Sequence, residues 1–143
     1  MTCAPSRAGF MTGRYPVTFP NKVDDFGAQG VDTVTDVLSR AGYKTGHFGK
    51  WHIGPDEASG TYGIDRVEVI GGNFRKKLGK DTQLFEAADD FIAEVKDDDQ
   101  PWYINLWTHV AHSPVTPPQF AVDYFGNVTV SEQCGRTKKK GRG

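Results

Sequence analysis

The sequence predicts an α/β fold in which a mostly parallel sheet is flanked by helices. Residues 32–41, DTVTDVLSRA, place Val34, Val37, Leu38 and Ala41 at i, i+3, i+4 and i+7, one face of an amphipathic helix. The glycine- and aromatic-rich run YKTGHFGKWHIG follows and reads as one strand entering a loop. A second helix from about Thr82 to Lys96 sets Leu84, Phe85, Ala88, Phe91, Ile92 and Val95 on one side. After DDDQP, the nearly continuous apolar run WYINLWTHV suits a strand buried on both faces. Helix followed by buried strand, twice over, is the pattern of a layered fold with parallel strands.

Local chemistry justifies the individual elements. Asp32 or Thr33 can cap the first helix, and Gly42 follows its end as a left-handed stop. Pro5 fits a helix start, so CAPSRAGFMTG reads as a turn or two of helix with Cys3 at or just before its first turn. Residues 66–70 read as a short strand bounded by glycines. Beyond Pro114 the periodicity is lost, Pro117 and Pro118 force an extended or turning path, and no regular element is predicted.

At 143 residues the chain has the size of one domain. It holds no apolar run near the ~18 residues of a membrane span, and Met1 is not followed by the charged and apolar stretches of a signal peptide. Five of the 17 basic residues and none of the 18 acids fall in positions 136–143, which leaves residues 1–135 with a net charge of −6. The body is acidic and the tail basic. Five cations among glycines at a chain end fit a disordered terminus better than a nucleic-acid site. The two cysteines, Cys3 and Cys134, make no disulfide framework.

Three groups of residues stand out chemically. A cysteine at a helix start gains from the unpaired N–H groups there, which favour its thiolate; Cys3 is a candidate reactive residue, although on composition alone an ordinary small cysteine near a terminus fits better. Lys50 and His52, two apart in an extended segment, would project together into one space and suit an anion; a surface lysine and a packed histidine also fit those letters. His109 and His112 follow the second strand, where parallel sheets place their ligand sites, but no further cysteine, histidine or close carboxylate completes a metal set. Asp24-Asp25 and Asp89-Asp90 read as solvated charge.

Taken together, these stretches resemble a known family. CAPSRAGFMTGR resembles the first sulfatase signature, CxPSR followed by TGR, and GYKTGHFGKWHIG resembles the second, GYxTxxxGKWHxG. Residues 82–114 resemble the helix, strand and histidine-proline loop that come next in type I sulfatases, so the resemblance runs to about Phe120. It implies part of an alkaline-phosphatase-like sandwich, incomplete at both ends, with residues 1–120 a partial catalytic domain and 121–143 an unassigned tail.

In that family the cysteine of CxPSR is oxidised to formylglycine by a formylglycine-generating or other sulfatase-maturing enzyme. One hydroxyl of the hydrated aldehyde attacks the sulfur of a sulfate ester, and the other then loses its proton to expel sulfate. The resemblance implies that Cys3 is the nucleophile precursor, that Arg7 holds the formylglycine, and that Lys50 binds sulfate oxygens. His52 would bond the hydrated aldehyde and His112 the substrate sulfate, with His109 a further substrate contact. Pro5 and Ser6 belong to what the maturing enzyme reads.

Family members also bind calcium, through an Asp-Asp pair before the cysteine motif, an Asp-Asn pair after the histidine loop and the oxygen of the modified cysteine. Of these only Cys3 has a counterpart here. The implied substrate is a small-molecule or carbohydrate sulfate ester, and the parent protein is expected to be periplasmic or extracellular. A phosphonate monoester or phosphodiester hydrolase of the same superfamily fits the same signatures, and the missing carboxylates also fit a non-catalytic fragment.

Overall fold

The computed structural model describes residues 3–54, 58–69, 80–109 and 119–125. Helix α1 (Cys3–Thr12) leads through a single 3-10 turn at Pro16–Thr18 to the short α2 (Val23–Phe26) and then α3 (Val34–Arg40). Strand β1 (Lys44–Gly49), a second 3-10 turn at Thr61–Gly63, β2 (Arg66–Glu68), α4 (Lys80–Val95), β3 (Trp102–Trp107) and α5 (Gln119–Phe125) complete the described chain. The strands form one parallel sheet in the order β2-β1-β3. β1 pairs with β3 from Lys44 opposite Trp102 to Gly49 opposite Trp107.

The pleat sorts the core into two layers. Phe48 of β1 and Ile104 and Leu106 of β3 point to one face, where Leu84, Ala88, Phe91 and Val95 of α4 cover them. These α4 residues recur three and four apart, as the periodicity predicts. On the other face lies a cluster of Ala4, Ala8 and Met11 from α1, with Trp51, Ile53 and Ile64. β1 is the central strand and is buried almost throughout.

The helix stops follow local rules. Thr33 caps α3 rather than Asp32, with its hydroxyl accepting from the Asp36 N–H while the Asp36 carboxylate accepts from the Thr33 N–H, a reciprocal capping box. Asp32 instead pairs with Arg40. At the other end Gly42 takes φ +87°, and the N–H groups of Gly42 and Tyr43 close onto the Ser39 and Leu38 carbonyls.

Four expectations need correction. Val37 is 52% exposed, because Thr33 and Thr35, not the valine, turn inward on α3 and share a hydroxyl–hydroxyl bond. Phe85 is 51% exposed: it lies at the margin of the α4 stripe, and the small Ala87 takes the inward place beside Ala88. β3 lies at one end of the three-strand order, and of its residues only Asn105 is fully buried, so burial on both faces belongs to β1 instead. Residues 119–125 form α5 although no element was predicted after Pro114.

The inward and outward places on α4 make a paired prediction. Leu84→Ala should cost about 2–5 kcal/mol in urea titration, and Phe85→Ala about 0.5 kcal/mol. Equal losses would contradict this orientation of the helix.

Candidate active site

Three elements bring the site together. α1 supplies Cys3 and, one turn on, Arg7; the loop leaving β1 supplies Lys50 and His52; the end of β3 supplies Trp107 and Thr108. The spacing of four residues puts Cys3 and Arg7 on one side of α1. An open cavity of about 430 Å³ is lined by Cys3, Ser6, Arg7, Phe10, Trp107 and Thr108.

Cys3 Sγ lies 3.0 Å from His52 Nδ1. Burial pushes the thiol up, but hydrogen bonds from Lys50 and His52 and the charges of the same two side chains outweigh it, and bring it from 9.0 to about 6. Lys50 and His52 therefore do meet at one point, although not by the alternation of an extended segment. His52 has φ +63°, the left-handed region that costs a residue with a side chain, and this turn carries its ring to Cys3.

Arg7 is held from two sides. Its Nη1 donates to the Lys50 carbonyl at 2.5 Å, and its guanidinium lies 4.3 Å from the centre of the Trp107 ring. Its Nε is buried and has no hydrogen-bond partner among the described residues. Gly49 permits the approach, because at φ +110° a Cβ there would fall 2.0 Å from the Trp107 carbonyl oxygen.

Behind these residues sits His47, which no pattern in the sequence singles out. It is fully buried between Trp51 and Trp107, with ring centroids 4.9 and 5.3 Å away. Its Nε2–H donates to the Gly49 carbonyl at 3.1 Å, and Nδ1 accepts from Asn105 Nδ2 at 3.0 Å, which fixes the neutral tautomer. Burial pulls its pKa down to about 4; the Gly49 bond opposes this and the Arg7 charge adds to it.

His109 stands at the end of β3, bonded to Asp81 of α4. Asp81 is the second residue that sequence reasoning missed: it lies 28 positions away, and only the fold brings the two together. His112, Cys134 and the basic tail lie outside the described residues. Calcium does not fit what is described: Cys3 is bonded to Lys50 and His52 rather than to carboxylates, and among the described residues no group of three or more His, Cys, Asp or Glu side chains could hold a metal ion. No described helix is long and apolar enough to cross a membrane.

A family model for sulfatases matches residues 1–138, and the chain belongs to the sulfatase family. The arylsulfatase of Hemicentrotus pulcherrimus is 38% identical over 43% of this chain and 13% of its own length. Arylsulfatase A of Homo sapiens is 42% identical over 36% of this chain and 12% of its own. The N-acetylgalactosamine-6-O-sulfatase of Bacteroides thetaiotaomicron is 38% identical over 42% and 13%.

Among solved structures, the crystal structure of Ps i-CgsB matches with a TM-score of 0.72 and 20% identity, over 92% of this chain and 39% of that one. The PsFucS1 sulfatase from Pseudoalteromonas sp. gives 0.59 and 19%, over 85% and 37%. The fold is thus part of the sulfatase, alkaline-phosphatase-like architecture. The matched stretch is less than half of each of those structures and a small fraction of each relative.

Two titrations check the electrostatics. Alkylation of Cys3 by iodoacetamide, followed by peptide mapping, should rise through a midpoint near pH 6 and level off above it, since only the thiolate reacts. Lys50→Met should move that midpoint upward, and an unmoved midpoint would remove Lys50 from the cause.

His47 acts on folding. Its folded pKa lies below the unfolded value, so its contribution is complete above pH 6.5 and falls as pH drops towards 4, by roughly 3 kcal/mol in all. Thermal melts should show this loss, and His47→Gln should flatten the acid limb.

Proposed function

We propose that the chain carries the nucleophile and anion-binding part of a sulfuric ester hydrolase, with Cys3 as the precursor of formylglycine. The observation that carries this reading is the meeting of Cys3, Lys50 and His52 at one sulfur, beside Arg7, in a chain of the sulfatase family. The Cys3 Sγ stands in for an oxygen of the modified side chain. When present, the hydrated aldehyde supplies a hydroxyl for attack on the sulfur of a sulfate monoester, and its second hydroxyl allows sulfate to be expelled.

The remaining work falls to the chain's own side chains. A sulfate monoester is an anion, and displacement moves further charge onto the departing alcohol oxygen, so fixed cations contribute most. The Lys50 ammonium is the group suited to the sulfate oxygens. His52 Nδ1, 3.0 Å from Sγ, is within reach of the proton that a hydroxyl at this position must lose. Arg7, fixed by the Lys50 carbonyl and the Trp107 face, contributes a cation that does not have to reorganise during the reaction. The organic half of the substrate, a small molecule or a carbohydrate, would enter over Phe10 and Thr108 at the cavity mouth.

Expression together with a formylglycine-generating enzyme, followed by mass spectrometry of the Cys3 peptide, should show an aldehyde in place of the thiol. An unmodified thiol would count heavily against the reading. In the complete parent protein Cys3→Ala should reduce sulfate release from an aryl sulfate to background, and Lys50→Ala should lower it roughly 10²–10³-fold. Retained turnover in Cys3→Ala would sink the nucleophile assignment.

A further inference from the structure

Asp81 clamps His109. The main-chain N–H of His109 donates to both carboxylate oxygens, at 2.8 Å to Oδ1 and 3.0 Å to Oδ2, and the His109 ring brings Nδ1 to 3.2 Å from Oδ1. An ionised carboxylate has no proton to donate, so Nδ1 carries the hydrogen and Nε2 is the ring nitrogen left over. The side chains are 9% exposed for Asp81 and 20% for His109, so the carboxylate is nearly closed off while the ring keeps an open side.

A carboxylate loses hydration on burial and needs compensating donors. The His109 main chain and ring are among those that supply them, and the first turn of α4 adds a favourable helix end. The post is rigid, because Leu84, one turn further along α4, is fully buried in the layer against β1 and β3. Closing the end of β3 would require only the main-chain bonds. The bond to Nδ1 does something more, since it selects one tautomer and one ring orientation. His109 also follows Thr108, which lines the cavity beside Cys3 and Arg7.

We propose that Asp81 is a positioning residue that acts through His109, holding its imidazole in the Nδ1–H form so that Nε2 faces the anionic group of the substrate. The anion's identity rests on the sulfatase reading; the tautomer does not. The interaction belongs to the class in which a carboxylate orients a histidine whose far nitrogen does the work.

Long-range ¹⁵N–¹H correlation spectra of the histidine rings, assigned with His109→Gln, test it on the wild-type chain. The expected spectrum has the proton of His109 on Nδ1. A ring with Nε2 protonated and Nδ1 bare overturns the proposal without any variant. Asp81→Asn should release that preference while the amide spectrum of the β1–β3 pair stays in place, and an unchanged ring spectrum in a folded Asp81→Asn chain also overturns it.

Titration with inorganic sulfate separates the two claims. The His109 Nε2 and His52 signals should move together, and Asp81→Asn should weaken the His109 response roughly tenfold. A still His52 signal counts against the sulfatase reading. A moving His52 beside a still His109 overturns the positioning proposal alone.

Discussion

The close approach of Gly49 to the end of β3 sets the distances on which the site depends. β1 and β3 stay in register up to Gly49 opposite Trp107, and there the backbone comes so near that no Cβ could lie between Gly49 and the Trp107 carbonyl. The Lys50 N–H then bonds that same carbonyl at 3.2 Å. The Lys50 carbonyl is thereby aimed at Arg7, and the Gly49 carbonyl accepts from His47. One junction thus ties α1, β1 and β3 together and sends the Lys50 side chain towards Cys3. A larger residue at position 49 would push the strands apart and separate the cation from the sulfur.

Charge is distributed with the same economy. Lys50 and His52 converge on Cys3, whose lowered pKa reflects them, while Arg7 stands one helical turn away. Two positive groups packed near each other repel, so the arrangement favours an anion between them. The buried neutral His47 fits this logic. Its protonation would add another cation behind Arg7, and burial, with the Arg7 charge and the acceptor role of Nδ1 towards Asn105, holds it in the uncharged form against the pull of the Gly49 bond. Among the described residues Arg7 has no partner at Nε, but it is braced by the flat face of Trp107, which neither hydrates nor neutralises it.

Much of this was legible in the sequence, for reasons that differ by element. α4 was readable because Leu84, Ala88, Phe91 and Val95 form a strong apolar stripe, and β1 because a glycine-rich aromatic run between turn residues has few other solutions. The full length of α1 was harder to see, because its buried side is made of Ala4, Ala8 and Met11, two of them too small to register as a stripe. Thr33 and Asp32 compete for the same cap on local rules, and the fold gives it to Thr33, which is buried with its hydroxyl bonded to Thr35 and Asp36, while Asp32 stays outside with Arg40. The site letters Cys3, Arg7, Lys50 and His52 were found through their motifs. Their supports, His47 with Asn105 and Asp81 with His109, depend on separations of 58 and 28 residues that no local pattern encodes.

The loop after β1 shows how ordinary apolar burial can produce a reactive geometry. Trp51 is 1% exposed and Ile53 is fully buried, so both neighbours of His52 are pinned inward, and the Trp51 indole N–H fastens the turn further by donating to the Ile53 carbonyl at 2.9 Å. With both flanking side chains committed to the core, the residue between them has to leave it. The left-handed backbone of His52 is the strained link that permits this, at a cost of order 1–3 kcal/mol, which the burial of a tryptophan and an isoleucine offsets. Trp51 and Ile53 therefore determine, from within the core, that an imidazole meets Cys3.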